Sequence, residues 1–355
     1  MFSSLIGNNR VKEVLKRMLE TSRLPGALLF VGEEGIGKKL FALEVARALN
    51  CRTPNNNEAC GSCSACTRVM NVNYPASAES DDWKQMIWTD HRDVGMVVAP
   101  KRVLRVEQMR AIEREANFRP VEGNARVFII DEADKLNDSS ANALLKVLEE
   151  PPSTSHLILI TARPAMLLPT ILSRCQVIRF APLSVEEIES FLVKNKIADP
   201  RSAQLRARTA SGSIAKALSG DIQTFTSQRK AMLTVLDALV MSDNRAQLLR
   251  SAEQLNEAQY KEEFEERLDV LEGLIRDAWM LSLGSQAGQL INEDLVKDLE
   301  PIASRMDPSK AAAWILEIED MREQLIVNIN RKAATDALFL QMASGEIPQK
   351  RFSVK

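Results

Sequence analysis

Three groups of residues have the types and spacing to do chemistry. Gly32, Gly35 and Gly37 lead into Lys38 in the pattern G-x-x-x-x-G-K. Glycines let successive backbone N–H groups curl around a phosphate, and a lysine at this point reaches its outer oxygens. The position after Lys38 should carry Ser or Thr, whose hydroxyl would bind Mg2+. Here it is Lys39, and Leu40 offers no substitute. The loop is thus expected to hold ATP or ADP weakly, or without hydrolysing it. The second group is Asp131-Glu132, where the aspartate would hold the Mg2+ shell and the glutamate would polarise an attacking water. Such a pair alone is often only a solvated helix cap; coupled to a phosphate loop it gains meaning. The third is Cys51, Cys60, Cys63 and Cys66, spaced C-x8-C-x2-C-x2-C among Asn, Gly and Ser. Four thiolates close a tetrahedral structural Zn2+ site and leave no open position for chemistry. Disulfides and four unrelated thiols are the alternatives; a reducing compartment disfavours the first and the tight clustering the second.

These groups need elements to hold them. Ala27 to Val31 is an apolar run with the length of a buried strand, and a helix with Phe41, Val45, Ala48 and Leu49 on one face follows the loop. A chance glycine-rich turn would not bring strand, loop, lysine and helix into register. Val127 to Ile130 is a second buried strand, ending at Asp131. A helix from Ser139 to Glu150 turns Ala141, Leu144, Leu145 and Leu148 inward and is stopped by Pro151-Pro152. Leu157 to Ile160 and Val177 to Phe180 complete the strands. Helices are also expected over Asn9–Ser22 and Arg105–Ala116. Buried strands alternating with helices mean a parallel sheet covered on both faces. From Asn71 to Lys101, Asp81, Asp82, Trp83 and Trp88 show no clear period, and the stretch reads as a surface excursion. His91 within it reads as a loop residue rather than a ligand.

Length and charge narrow the class. A chain of 355 residues holds two or three domains. A formal charge of −2 gives no case for a protein that wraps DNA by itself. No apolar run approaches the roughly 20 residues of a membrane span, and the N-terminus lacks the plan of a signal peptide. A cytoplasmic protein is expected, without a membrane partner.

The phosphate loop, the acidic strand end, the Leu148-Glu-Glu-Pro-Pro152 box, Ser173-Arg174-Cys175 and the inserted cysteine module together resemble the AAA+ clamp-loader subunits of bacterial DNA polymerase III. The resemblance covers Phe2 to about Gly220 by motif and continues to the C-terminus by helical layout. It implies an α/β P-loop AAA+ domain over 1–181, with the zinc module at about 50–68. A helical lid at 182–222, an all-helical collar at 223–345 and a tail at 346–355 would follow. It implies that Arg174 works in trans, as an arginine finger on the γ-phosphate bound by a neighbouring subunit. A planar, permanently charged donor fork suits that task. It further places Gly32, Gly35, Gly37, Lys38, Asp131 and Thr161 around the chain's own nucleotide, with Glu132 as a vestigial catalytic residue. In the lid, Gly212-Ser-Ile-Ala-Lys216 puts Ala215 where motor subunits carry an arginine that senses the γ-phosphate.

Two losses at one site, Lys39 and Ala215, suggest a non-motor subunit of that family with little or no ATPase activity of its own. It would act as a stator supplying Arg174, beside motor and delta-type subunits, with the sliding clamp and primed DNA reached through the complex. The alternatives are a motor-type subunit that hydrolyses ATP and, further off, another AAA+ remodeller. No paired aspartates for nucleotidyl transfer stand out, so polymerase chemistry belongs to the complex. In the lid, Ser184-Val-Glu-Glu187 reads as a capping box opening a helix with Ile188, Phe191 and Leu192 on one face. In the collar, amphipathic faces are expected at Met232/Val235/Leu236/Leu239, Phe264/Leu268/Leu271/Ile275, Ile315/Ile318/Met321/Leu325 and Ala333/Ala337/Leu338.

Overall fold

The computed structural model of the chain describes residues 2–55, 58–77, 80–99, 103–219, 222–241, 264–285, 290–326 and 330–344. The expected tail at 346–355 lies outside them. The chain divides into two compact units, Met1–Ser219 and Gly220–Lys355.

The first unit is built on a six-stranded sheet in the order β2-β3-β4-β5-β1-β6. Its strands are β1 (Ala27–Val31), β2 (Ile87–Trp88), β3 (Val94–Val97), β4 (Arg126–Ile130), β5 (Ser155–Thr161) and β6 (Gln176–Arg179). All neighbours run parallel except β2 and β3. Strand residues alternate between two cores. Leu29, Val31, Phe128 and Ile130 meet α4 (Val106–Ala116), α5 (Asp138–Glu149) and α6 (Pro169–Leu172) on one face. Leu28, Phe30, Val127 and Ile129 meet α1 (Asn9–Glu20) and α2 (Lys38–Asn50) on the other. This is why the strands read as continuous apolar runs.

One expectation fails in part. The stretch from Asn71 to Lys101 is a surface excursion only in its first half, where the described residues from 71 to 86 are exposed or half-buried; its second half supplies two strands, and β3 is fully buried between β2 and β4. Gly95 hides it by interrupting the apolar run. A Cβ there would stand 2.5 Å from the Met86 sulfur, so glycine lets the excursion pack against the sheet. His91 and Asp93 in the β2–β3 turn are buried as well.

The short helix α3 (Ser64–Met70) belongs to the cysteine module. The helices α7 (Val185–Lys194), α8 (Pro200–Thr209) and α9 (Ile214–Ser219) form a small separate core around Ile188, Leu192 and Ala207. The capping box is present: Ser184 Oγ accepts from Glu187 N, and Glu187 Oε2 accepts from Ser184 N.

The described elements of the second unit are all helices, chiefly α10 (Ile222–Met241), α11 (Phe264–Ser282), α12 (Val296–Ala303), α13 (Pro308–Ile326) and α14 (Arg331–Ser344). Met232, Val235, Leu236, Phe264, Leu268, Leu271, Ile275, Ile318 and Met321 form its core as expected. Leu239 and Ile315 are half-buried against it; the Leu325 side chain is not among those described. In α14 the face is shifted. Ala333 and Ala337 are exposed, and Ala334, Leu338, Phe339 and Met342 are buried. Alanines carry little hydrophobic weight, so the larger Phe339 and Met342 set the face. Among the described residues no helix is long and apolar enough to cross a membrane.

Glu317 on α13 is buried with one carboxylate oxygen lacking a partner among the described residues. Burial pushes its carboxyl up to about 7, against the pull of a hydrogen bond from Gln341. The folded state therefore holds this proton more tightly than the unfolded chain does. Native stability should fall as pH rises from about 4.5 to 7 and stay reduced above. Glu317→Gln should flatten that loss and raise stability at pH 8 by on the order of 1–2 kcal/mol. Thermal melts of both proteins at pH 5.5 and pH 8 check it; a wild-type pH slope retained in the variant would refute it.

Candidate functional site

The loop from Gly32 to Gly37 joins a strand buried along its length to the N-terminus of α2. Gly35 (φ 75°) and Gly37 (φ 99°) occupy left-handed backbone that side chains disfavour. At Gly35 space also forbids a side chain: a Cβ would lie 2.1 Å from Ser213 Oγ and 2.8 Å from the Ala215 methyl. The start of α9 thus rests directly on the loop, and Ala215 N donates to Gly35 O at 3.1 Å. Where an arginine could have entered the phosphate space, a methyl group packs on glycine.

Lys38 is only 6% exposed, and its ammonium turns back on the loop, donating to Gly32 O and Glu33 O, each at 2.5 Å. Burial pulls its pKa down, against nearby carboxylates led by Asp131. Lys39, in the metal-ligand position, places its ammonium 2.7 Å from Asp131 Oδ2. The other oxygen, Oδ1, accepts from Glu132 N at 3.1 Å. Burial lowers the Lys39 pKa, but the charge and hydrogen bond of Asp131, helped by Tyr74, outweigh it and leave the pKa raised. The Tyr74 ring lies 5.9 Å from this ammonium. Both oxygens of the expected Mg2+ carboxylate are therefore engaged, one by a cation tethered to the chain.

Glu132, at φ 52°, pairs with Lys135 at 2.6 Å. Thr161 ends β5 buried, donates to Asp134 Oδ1 at 2.7 Å and accepts from Arg163 N at 2.9 Å. Lys38, Asp131 and Thr161 thus sit at the same end of neighbouring strands, as the motifs imply. The loop retains backbone donors and a lysine for a phosphate; the metal position is filled by Lys39.

The cysteines come together. Their four sulfurs lie within 4.8 Å of one another, with Cys51–Cys63 and Cys60–Cys66 each at 3.9 Å. A tetrahedron with about 2.3 Å zinc–sulfur bonds has edges of about 3.8 Å, whereas a disulfide needs about 2.05 Å. Cys60 N donates to Cys51 Sγ and Cys63 N to Cys60 Sγ, at 3.2 and 3.3 Å. Hydrogen bonds led by Thr53 hold the Cys60 thiol down at about 5, and burial pushes Cys66 up to about 12. The donor set fits a zinc ion, and the four cysteines could hold one. The module is tied down at its base. Arg68 makes a two-pronged pair with Glu122 at 3.1 and 2.6 Å, and Asn50 Oδ1 accepts from Asn124 N and Ala125 N. Asp93 accepts from the backbone of Val121, Glu122 and Gly123. His91 stays out of the sulfur cluster; its Nδ1 accepts from Asp93 N.

Arg174 follows α6, one residue before Cys175 and two before the edge strand β6. Its side chain is about one-third exposed. Nη1 donates to Thr170 O at 3.0 Å, and Nη2 pairs with Glu149 Oε1 at 2.9 Å. Cys175 is buried apart from the other four cysteines. Tyr74, Asp134, Ser213 and Glu149 were not marked by the sequence as site residues. Glu149 and Ser213 stood inside quoted motifs and Asp134 lies just past the acidic pair, whereas Tyr74 arrives only through tertiary packing.

The family model described as "DNA polymerase III, delta subunit" matches residues 7–184, and "DNA polymerase III, delta subunit, C terminal" matches 223–342. DNA polymerase III subunit delta' of Bacillus subtilis (strain 168) is 28% identical over 95% of this chain and 96% of its own length. The Escherichia coli (strain K12) delta' subunit is 28% identical over 93% and 92%. The E. coli tau subunit is 35% identical, but over 66% of this chain and 36% of its own length. Among solved structures, the Thermotoga maritima RuvB Holliday junction branch migration motor aligns over 84% of this chain and 87% of that one. Its identity is 19% and its TM-score 0.41, too loose a superposition to bear on function.

The Lys39–Asp131 pair generates a prediction about the loop. Any binding of ATP by the purified chain should be insensitive to Mg2+, and steady hydrolysis should be negligible. Titration with a fluorescent ATP analogue, with Mg2+ and with chelator, checks the first; phosphate release checks the second. Turnover that requires Mg2+ and disappears on Lys38→Ala would contradict both.

Proposed function

We propose, on the premise that this chain belongs to the DNA polymerase III clamp-loader subunits of the delta' type, that it is the stator of such a loader. In this reading the AAA+ domain (1–181), lid (182–222) and collar (223–345) share a closed assembly with motor and delta-type subunits in the cytoplasm. Arg174 enters the nucleotide site of the neighbouring motor subunit and stabilises transition-state charge on the transferred γ-phosphoryl group. The complex then places a sliding clamp on primed DNA. The chain's own loop, Gly32 to Lys38 with Asp131 and Thr161, plays a structural part or holds a nucleotide it does not hydrolyse, and Glu132 is vestigial. Cys51, Cys60, Cys63 and Cys66 hold a structural Zn2+.

The observation that carries this reading is the contrast between two cations. Lys39 engages the chain's own metal carboxylate; Arg174 stands partly exposed beside the edge strand. In this reading the first silences hydrolysis in cis, and the second serves in trans. The motor-type reading is favoured by the 35% identity to tau. The missing hydroxyl, the engaged Asp131 and the methyl at Ala215 weigh against it.

Arginine fingers contribute roughly 10³–10⁵ in rate at the site they serve. In a reconstituted complex with several active sites, the steady-state loss should be smaller. Arg174→Ala should assemble normally and lower ATP turnover stimulated by clamp and primed DNA. Arg174→Lys should recover little, since an ammonium lacks the planar fork. Wild-type clamp loading by Arg174→Ala would refute the trans assignment. For the metal, protein purified without chelator under reducing conditions should carry about one zinc per chain. Cys63→Ser should lose it and melt at a lower temperature; zinc-free wild-type protein with an unchanged melt would refute the site.

A further inference from the structure

Arg174 has a partner with no assigned role. Its guanidinium is held at two points by its own chain: Nη1 on Thr170 O and Nη2 on Glu149 Oε1. Both holders are anchored. Thr170 lies on α6, whose Ile171 is buried in the core. Glu149 is the last residue of α5, which is pinned by Ala141, Leu144, Val147 and Leu148. The chain after it is fixed too, because Pro151 packs against Gly26 just before β1.

Glu149 is poorly placed for the helix it ends. The C-terminus of a helix carries partial negative charge, and a carboxylate in the last turn opposes it. Glu150 adds a second carboxylate there. The lysine one turn back, Lys146, pairs with Glu113 at 3.6 Å. Arg174 is the cation that meets Glu149. The placement is unfavourable for α5 and favourable for the arginine.

We infer that Glu149 is the positioning residue for Arg174: it fixes the guanidinium in the orientation the neighbouring γ-phosphate meets. An arginine side chain left free loses substantial rotamer entropy when it is immobilised. Here much of that loss is incurred when the chain folds. Of the five N–H donors in the fork, the two observed bonds use two, and three remain for phosphate oxygens. The inference rests on the stator reading and adds how the finger is held.

The test is a double-mutant cycle in the reconstituted complex, reading ATP turnover stimulated by clamp and primed DNA. With Arg174 present, Glu149→Ala should slow the one site that Arg174 serves by about tenfold, the order expected for releasing a rotamer-rich side chain, and so lower kcat of the complex by nearly as much as Arg174→Ala and by no more. KM for ATP, assembly and the melting temperature of the chain should not move. Glu149→Gln, which keeps an acceptor oxygen, should fall between. In the Arg174→Ala background, Glu149→Ala should have no further effect. If Arg174→Ala slows the complex while Glu149→Ala runs at or above the wild-type rate, the positioning role is wrong and the stator reading stands. The positioning role fails in the same way if Glu149→Ala costs as much without Arg174 as with it. If Arg174→Ala itself turns over at the wild-type rate, both fall.

Discussion

The ion pair between Lys39 and Asp131 is the constraint on which the nucleotide site depends. A P-loop enzyme needs a hydroxyl and a carboxylate converging on Mg2+. Here the hydroxyl position supplies an ammonium, and the carboxylate is 2.7 Å away. The ammonium is covalently tethered, so its local concentration does not fall when metal is scarce. Entry of Mg2+ would require displacing it and would bring two cations close together in a partly buried space. Neighbouring residues fit the same state. Lys38 bonds the carbonyls of its own loop, Glu132 is paired with Lys135, and the start of α9 rests on Gly35 through Ala215. The fold persists because its stability comes from the two apolar cores flanking the sheet, neither of which requires the site to work.

The surface carrying Arg174 is tied to the same framework by α5. That helix starts just after the acidic strand end, capped by Asn137, and ends at Glu149, which holds the arginine. One helix therefore leads from the segment that follows Asp131 to the residue that pairs with Arg174. A rigid mount suits an arginine whose effect depends on donor geometry.

Much of this was legible in the sequence, and the exceptions have physical causes. Three of the parallel strands, β1, β4 and β5, announced themselves because burial on both faces demands long apolar runs; the edge strand β6, exposed at Gln176 and Arg179, was legible only from Val177, Ile178 and Phe180. The phosphate loop, the acidic pair and the cysteines were legible because each fixes residue type and spacing together. β3 was missed because Gly95 breaks its run, and that glycine answers to Met86, a contact invisible to periodicity. The inward face of α14 was misphased because alanines stood in for the heavier Phe339 and Met342. The loss of the hydroxyl at position 39 could be read directly; the partner that Lys39 found could not, since Asp131 is 92 residues away in sequence (131 − 39). Tyr74 beside that pair and Ser213 against Gly35 are tertiary in the same sense.

The central claim is that this chain acts on a neighbour's nucleotide and not on its own. Rapid-quench measurement of the ATP hydrolysed in the first turnover of the reconstituted complex tests it most directly. With Arg174→Ala in this chain, the account predicts that the burst shrinks by the equivalent of one site, while the remaining sites keep their rate. A burst of undiminished amplitude and speed would contradict it.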